Sequence, residues 1–482
     1  MGTLTKGVVK AVGMLSGVQV ISVLSSVVRV KIVAIWLGPA GIGLIGIFQT
    51  ALDMLGTIAQ MGIGVSGTRE VAMAENAAVK SRAVAVVKAW GLRLALIGVL
   101  LTLLAAPWLS LWSFNDMSHT GWFMLLGAGV AFTVGAAMVS SLLRGTASYG
   151  ALARGTLTGA VGGVAVVVPL IILFREHGIA PAVTLAAGVS LIGFWWAARR
   201  DRTLSSLPPL THPLSCESII ADGRRLISLG WWVTLGYAAG DLANYSLLSY
   251  INRAASTAEA GYFQAGYTLL VRYTSFIFGA LAAEYFPRVS AVHGSARRLS
   301  VYASHEVSLL MWVFVPVCAA FIAGAPLMVE VLYAPDFECV LPYLYTGALG
   351  AVLRCWSTSL SYIILAKGDG PRYLLSEVLI AVGFVGLGIL CYSQWGLNGM
   401  GVAYVGSYIF ESVLLWLLTR RYGVRVNPRT VRQMALALLT VSACSAMAVL
   451  LPQYWLGNVL CALVALGAGG LGVMKFYSTK TR

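Results

Sequence analysis

Three arginines, Arg29, Arg272 and Arg354, stand deep inside stretches otherwise long and apolar enough to cross a bilayer. A charge at the bilayer centre costs roughly 2.5–3.5 kcal/mol on insertion scales, so such a residue faces a wet cavity or a partner. The groups recurring with them at helical spacing are polar. Gln19, Ser22, Ser26 and Arg29 form one stripe, and Gln49, Asp53, Thr57 and Gln60 another. Further stripes follow in Thr234, Tyr237, Asp241 and Asn244, in Gln264, Thr268, Arg272 and Ser275, and in Thr346, Arg354, Ser357 and Ser361. Stripes of this kind are kept from lipid, which predicts an internal polar cavity. Guanidinium groups among hydroxyls and amides suit an anionic, hydroxyl-rich cargo held by charge-assisted hydrogen bonds.

Two readings of these residues stand side by side. In one, Arg29 with Asp53 and Arg272 with Asp241 are buried ion pairs that orient helices. In the other, Arg29, Arg272 and more weakly Arg354 hold the cargo's charge. Gln19, Ser26, Gln49, Asp53, Tyr237, Asp241, Asn244, Gln264 and Thr268 then line the cavity. Glu377 and Glu411 lie in later spans, away from the arginine stripes, where a carboxylate could bind and release H+ or Na+. Either could instead cap or pair near a helix end. Lys31 and Arg93 lie within reach of span ends, where long cationic side chains snorkel.

These residues must be positioned by membrane helices. Of 482 residues, 59% are hydrophobic and 11% charged, and the mean hydropathy is +0.83. Apolar runs of span length recur along the whole chain, giving an all-α polytopic protein of about fourteen transmembrane helices. The net charge of +15 reads as topology before it reads as a nucleic-acid footprint. Placing Lys6 and Lys10 inside puts Lys80, Arg82, Lys88, Arg144, Arg199, Arg200, Arg420 and Arg421 inside as well. Only Arg175 and Arg253 remain outside, so both termini are expected in the cytoplasm. The first apolar stretch is too long for a secretory leader and lacks a small-residue cleavage site, so it reads as a retained helix.

Internal repeats organise the spans. Ala40-Gly41 with Gly46 recurs as Ala260-Gly261 with Gly266, Arg144-Gly145 as Lys367-Gly368, and Gly178 with Gly188 as Gly396 with Gly406. The offsets are nearly constant and carry six helices onto six, as parallel repeats do. The expected organisation is two pseudosymmetric six-helix lobes, residues 1–200 and 226–420. A cytoplasmic connector over 201–225 joins them, and an extra helix pair occupies 421–482.

Chemistry by catalysis finds no support. There is no phosphate-binding P-loop, no H-E-x-x-H, no CxxC pair and no large outer loop bearing carboxylates. The seven cysteines show no disulfide or metal spacing, and Cys339, near an outer loop, is expected to be free. His119, His177, His212, His293 and His305 are dispersed. No catalytic residue, metal or cofactor is assigned.

Several local motifs are familiar together. Leu37-Gly38-Pro39-Ala40-Gly41-Ile42-Gly43 after an arginine-bearing helix, Pro287-Arg288-Val289-Ser290, and Tyr333 through Cys339 are three of them. Ile364-Leu365-Ala366-Lys367-Gly368 and Arg372-Tyr373-Leu374-Leu375-Ser376-Glu377 complete the set. Together they resemble Wzx-type polysaccharide repeat-unit flippases of the multidrug/oligosaccharidyl-lipid/polysaccharide (MOP) exporter superfamily. The resemblance implies alternating access in the bacterial inner membrane. An undecaprenyl-diphosphate-linked oligosaccharide, such as an O-antigen unit of lipopolysaccharide, would pass from the cytoplasmic to the periplasmic leaflet. It implies Arg29 and Arg272 as cavity cations, an H+ or Na+ counter-ion, membrane lipids, and a polysaccharide polymerase and chain-length regulator as partners of a monomer. No nucleic acid is implied. The two extra C-terminal helices are similar to those of peptidoglycan lipid II flippases. A cation-coupled multidrug exporter is the other alternative within the superfamily, although its cationic drugs call for a cavity dominated by acids. A membrane glycan polymerase would need long arginine-bearing outer loops, which are missing.

Overall fold

Inside hydrocarbon a backbone N–H or C=O finds no water, so a chain of this composition must close its hydrogen bonds within each crossing. The computed structural model describes residues 2–209, 216–450, 457 and 459–467, and every described element is helical. In chain order these are α1 (Gly2–Gln60), α2 (Ile63–Ala72), α3 (Ala77–Phe114), α4 (Thr120–Gly145), α5 (Tyr149–Phe174), α6 (Ile179–Arg199) and α7 (Arg202–Ser205). There follow α8 (Cys216–Ala254), α9 (Thr257–Tyr267), α10 (Tyr273–Ala291), α11 (Ala296–Leu332), α12 (Leu341–Ala366), α13 (Gly370–Arg420) and α14 (Pro428–Leu450). Among the described residues, 8 helical segments are long and apolar enough to cross a membrane. Three of these break midway, at Gly38, at the turn Arg175–Gly178 and at Gly396, so each holds two helical stretches. The protein is an all-α, multi-pass membrane protein. The expected seventh span lies on α8, which starts at Cys216, inside the stretch expected as connector.

The chain divides into two compact units, Met1–Gly261 and Tyr262–Arg482. In the first, α5 and α6 form a hairpin, α4 packs between α3 and α6, and α8 packs on α1 and α3. In the second, α12 packs on α11 and α13, while α14 lies on α11 and α12.

The two units repeat each other in detail. Helices α4 and α12 both have 26 residues and start 221 positions apart, at Thr120 and Leu341. The broken segment Tyr149–Arg199 and helix α13, Gly370–Arg420, both have 51 residues and are also 221 apart. Pro107 within α3 and Pro326 within α11 stand 219 apart, and so do the N-caps Asn76 and Ser295. These caps accept from Val79 N and Arg298 N, again 219 apart. Left-handed backbone recurs at Ala147 and Gly368, 221 apart.

Glycines mark where backbone meets backbone. A methyl group on Gly178 would land on the Leu170 carbonyl, and one on Gly399 on the Cys391 carbonyl. Within the first unit a methyl on Gly43 would strike the Thr257 carbonyl and one on Gly261 the Pro39 carbonyl. This reciprocal contact is the close crossing that small residues permit. The sequence repeat had paired Gly178 with Gly396. The structure pairs it by geometry with Gly399, while Gly396 (φ 57) carries the break in α13.

A polar tie closes each repeat at the same place. Ser148 Oγ donates to Asp201 Oδ2 at 2.7 Å, joining the start of α5 to the end of α6. Tyr422 donates to Asp369 Oδ2 at 2.8 Å, joining the start of α13 to its end, with both partners shifted by 221 and the donor exchanged. Asp369 also caps α13 and pairs with Arg372 at 2.6 Å. Partial burial pushes the Asp369 carboxyl up, but its bonds from Tyr422 and Arg372 outweigh this and hold it below the usual range. Its stabilisation is therefore complete at neutral pH and lost as pH falls through the carboxylate range. Asp369→Ala should cost about 1–2 kcal/mol, the worth of a helix cap with an exposed pair, seen as a lower thermal-unfolding midpoint in detergent at pH 7. At pH 3 the difference from wild type should shrink.

Candidate functional site

In the first unit the break at Gly38 turns the chain so that Gln49, Asp53, Thr57 and Gln60 lie on the second half of α1, all partly exposed. Gln49 Nε2 donates to Asp53 Oδ1 at 2.8 Å. Thr57 Oγ1 donates to Asp241 Oδ2 on α8 at 2.7 Å, so two of the expected stripes meet. Tyr237 is exposed one turn before Asp241. Asn244 one turn after it is buried, with its Oδ1 unpartnered among the described residues. On the first half of α1, Gln19 is exposed, and Ser26 and Arg29 are partly exposed. The arrangement is a polar face on α1 and α8 carrying the carboxylates Asp53 and Asp241 among hydroxyls and amides.

In the second unit the helix from α9 to α10 widens into a π-helical turn, Thr268–Arg272. Such turns misalign carbonyls from their usual partners and cluster at functional sites. Arg354, on α12, uses this one. Its Nη1 donates to the Val271 carbonyl at 3.3 Å and to Thr274 Oγ1 at 3.2 Å, and its Nη2 to Ser275 Oγ at 2.9 Å. The guanidinium carbon lies 4.5 Å from the centre of the Phe278 ring. Tyr408, Tyr404, Glu411 and Tyr267 are its electrostatic neighbours. Ser357, one turn along α12, donates to the Arg354 carbonyl at 3.3 Å, and Glu411 and Glu377 on α13 are electrostatic neighbours of each other.

This geometry corrects one expectation. Glu411 does not stand apart from the arginine stripes, because α13 packs along α12 and brings it beside Arg354. Thr268 lies in the π-turn and Gln264 is buried, its Oε1 unpartnered among the described residues. The Arg272 backbone closes the π-turn, but its side chain lies outside the described residues. Tyr404 and Tyr408 were missed by sequence reasoning. Their signal was available: with Glu411 they fall at i, i+4 and i+7 on one face of α13, and the two rings meet edge-on at 4.9 Å.

The cluster belongs to the second unit alone. At an offset of 221, Arg354, Glu411 and Glu377 correspond to Thr133, Ser190 and Thr156 of the first unit. Those three hydroxyls bond the carbonyls four residues before them, at Gly129, Ala186 and Leu152. Among the described residues no group of three His, Cys, Asp or Glu side chains could hold a metal, and Cys339 is exposed, its Sγ donating to the Asp336 carbonyl.

Residues 8–293 match the polysaccharide biosynthesis protein family. The chain belongs to this family. Its fold is shared with MOP-superfamily transporters. The lipid II flippase MurJ, in an inward closed conformation, is 12% identical with a TM-score of 0.69, covering 97% of this chain and 99% of that one. An inward-facing multidrug resistance transporter of the MATE family is 18% identical with a TM-score of 0.68, covering 88% and 99%. A MOP-superfamily transporter from Pyrococcus furiosus, described as having a binding pocket of reversed polarity, is 18% identical with a TM-score of 0.59, covering 91% and 96%. No curated protein matches the sequence.

The bond from Thr57 to Asp241 ties α1 to α8, and a hydrogen bond to a charged group is worth about 1.5–3 kcal/mol. Thr57→Val should lower the unfolding free energy by an amount near the bottom of that range, seen as a lower unfolding midpoint, since both partners are partly exposed. Thr57→Ser should restore it.

Proposed function

We propose that the protein is a non-enzymatic flippase for an undecaprenyl-diphosphate-linked oligosaccharide, an O-antigen or related repeat unit. It works by alternating access between the six-helix lobes 1–200 and 226–420. It sits in the bacterial inner membrane as a monomer with cytoplasmic termini and serves a polymerase and chain-length regulator. Membership of the polysaccharide biosynthesis family supports this. The observation that carries it is the membrane-embedded Arg354 guanidinium, whose hydrogen bonds among the described residues all go to neutral oxygens and so leave its charge uncancelled at contact distance there.

Arg354 joins Arg29 and Arg272 in holding the diphosphate, while Gln19, Ser26, Gln49, Tyr237, Asn244, Gln264 and Thr268 offer partners to glycan hydroxyls. Moving a doubly negative headgroup outward across an inside-negative potential releases about 2.3 kcal/mol per charge per 100 mV. Glu411 and Glu377 are the proposed H+ or Na+ coupling pair. Lipid II is an alternative cargo, suggested by the whole-chain likeness to MurJ. The carboxylate face of Asp53 and Asp241 favours a second reading, a cation-coupled multidrug exporter.

The test is flipping of a fluorescent prenyl-diphosphate oligosaccharide in proteoliposomes at matched protein content. Arg354→Ala should slow flipping at least about tenfold, equivalent to about 1.4 kcal/mol, with Arg354→Lys intermediate. Full activity after alanine substitution at Arg29, Arg272 and Arg354 together would sink the cation proposal. Drug efflux by the same vesicles without glycolipid flipping would favour the exporter.

A further inference from the structure

A cavity of about 690 Å³ opens in the first unit, lined by none of the polar-stripe residues, and lies within the usual size of ligand pockets. Its floor is α4 at Met138, its walls are α3 at Leu92 and α6 at Trp195, and Leu204 of α7 closes one end. Two cations line it, Lys88 on α3 and Arg199 on α6, the latter stacked 3.7 Å over the Trp195 ring. Among the described residues no carboxylate pairs with either. The adjacent acid, Asp201, is engaged by Ser148 Oγ and Leu204 N, which fixes α7 at the cavity's end. Leaving the cations, the same helix faces continue as exposed apolar side chains: Leu92 and Leu96 along α3, Trp195 and Ile192 along α6. The result is an apolar furrow whose charged end matches a headgroup.

The repeat shows what this furrow normally seats. In the second unit the corresponding surface of α11 and α12 is covered by α14. Three hydroxyls at helical spacing on α11 hold the segment that leads into and along it. Ser300 Oγ accepts from Arg425 N, Ser304 Oγ accepts from Asn427 N, and Ser308 Oγ donates to Gln433 Oε1 at 2.6 Å. The 219-residue offset of the caps Asn76 and Ser295 places Ser81, Ala85 and Ala89 at these positions in α3. Two of the three helix-gripping hydroxyls are therefore gone. Lys88 stands where α11 has Val307. The seat has lost what holds a helix and gained what holds a phosphate.

We propose that the α3–α4–α6 furrow binds one anionic glycerophospholipid, its phosphate between Lys88 and Arg199 and an acyl chain along Leu92, Leu96 and Ile192. The lipid fills the place that α14 fills in the second unit. The site is separate from the cargo face, so the inference stands whatever the protein transports.

Native mass spectrometry of the full chain in detergent tests it, with phosphatidylglycerol and phosphatidylcholine as probes. Wild type should retain phosphatidylglycerol preferentially. Lys88→Gln with Arg199→Gln, which keeps the side-chain stems, should lower retention about thirtyfold, from about 1 kcal/mol per cation near a lipid headgroup. Ala85→Trp, filling the cavity with both cations intact, should also abolish the preference, whereas Arg297→Ala with Arg298→Ala should leave it unchanged. Each variant is scored after matching wild-type unfolding in lipid-free detergent; glutamine replaces only one cation at a time if the double variant fails this. Retention of phosphatidylglycerol within twofold of wild type in the charge variant would overturn the proposal. So would equal retention of phosphatidylcholine by wild type, or displacement of phosphatidylglycerol by equimolar undecaprenyl phosphate.

Discussion

Much of this molecule follows from the absence of water in hydrocarbon: a polar group that faces lipid must be satisfied by the chain itself. Serines and threonines comply by bonding the carbonyl a turn behind them, as Thr50, Thr102, Ser407 and Thr419 do. Helix breaks at Gly38 and Gly396 divide long apolar segments into two stretches each. At the π-turn, Thr268–Arg272, the Val271 carbonyl meets the Arg354 guanidinium. The most expensive residue in the second unit thus satisfies one of its most expensive backbone irregularities.

The fold was largely legible in the sequence because hydropathy averages over some twenty residues and tolerates local error. The glycine repeat was legible in kind but not in register. A glycine can mark either a positive φ or a close approach, and sequence matching set the approach at Gly178 against the kink at Gly396. Caps, prolines and helix lengths carry the true offsets of 219 and 221, because each has one structural role.

Arg354, Glu377 and Glu411 were each visible as charges in apolar surroundings. Their proximity was not, since periodicity describes the faces of a single helix and says nothing about which neighbour a face meets. Tyr404 and Tyr408 escaped notice for another reason: aromatic rings do not disturb an apolar span, so hydropathy gives no warning of them. The meeting of Thr57 with Asp241 was hidden in the same way, 184 residues apart on helices that only the fold brings together.

The duplication supplies an internal control on what the buried cluster is for. If Arg354, Glu411 and Glu377 were needed to close the helix packing, the equivalent helices of the first unit should need charges too. They pack with Thr133, Ser190 and Thr156, each satisfied within its own helix. Burying ionised groups costs several kcal/mol each before pairing, and uncharged replacements of similar volume are often neutral or stabilising. Since the same backbone closes without these charges, stability does not account for them. What the charges add beyond packing is the basis of the anion-holding and ion-coupling roles proposed above. That cluster lies in one unit, so the two halves of a duplicated scaffold carry different groups at equivalent positions.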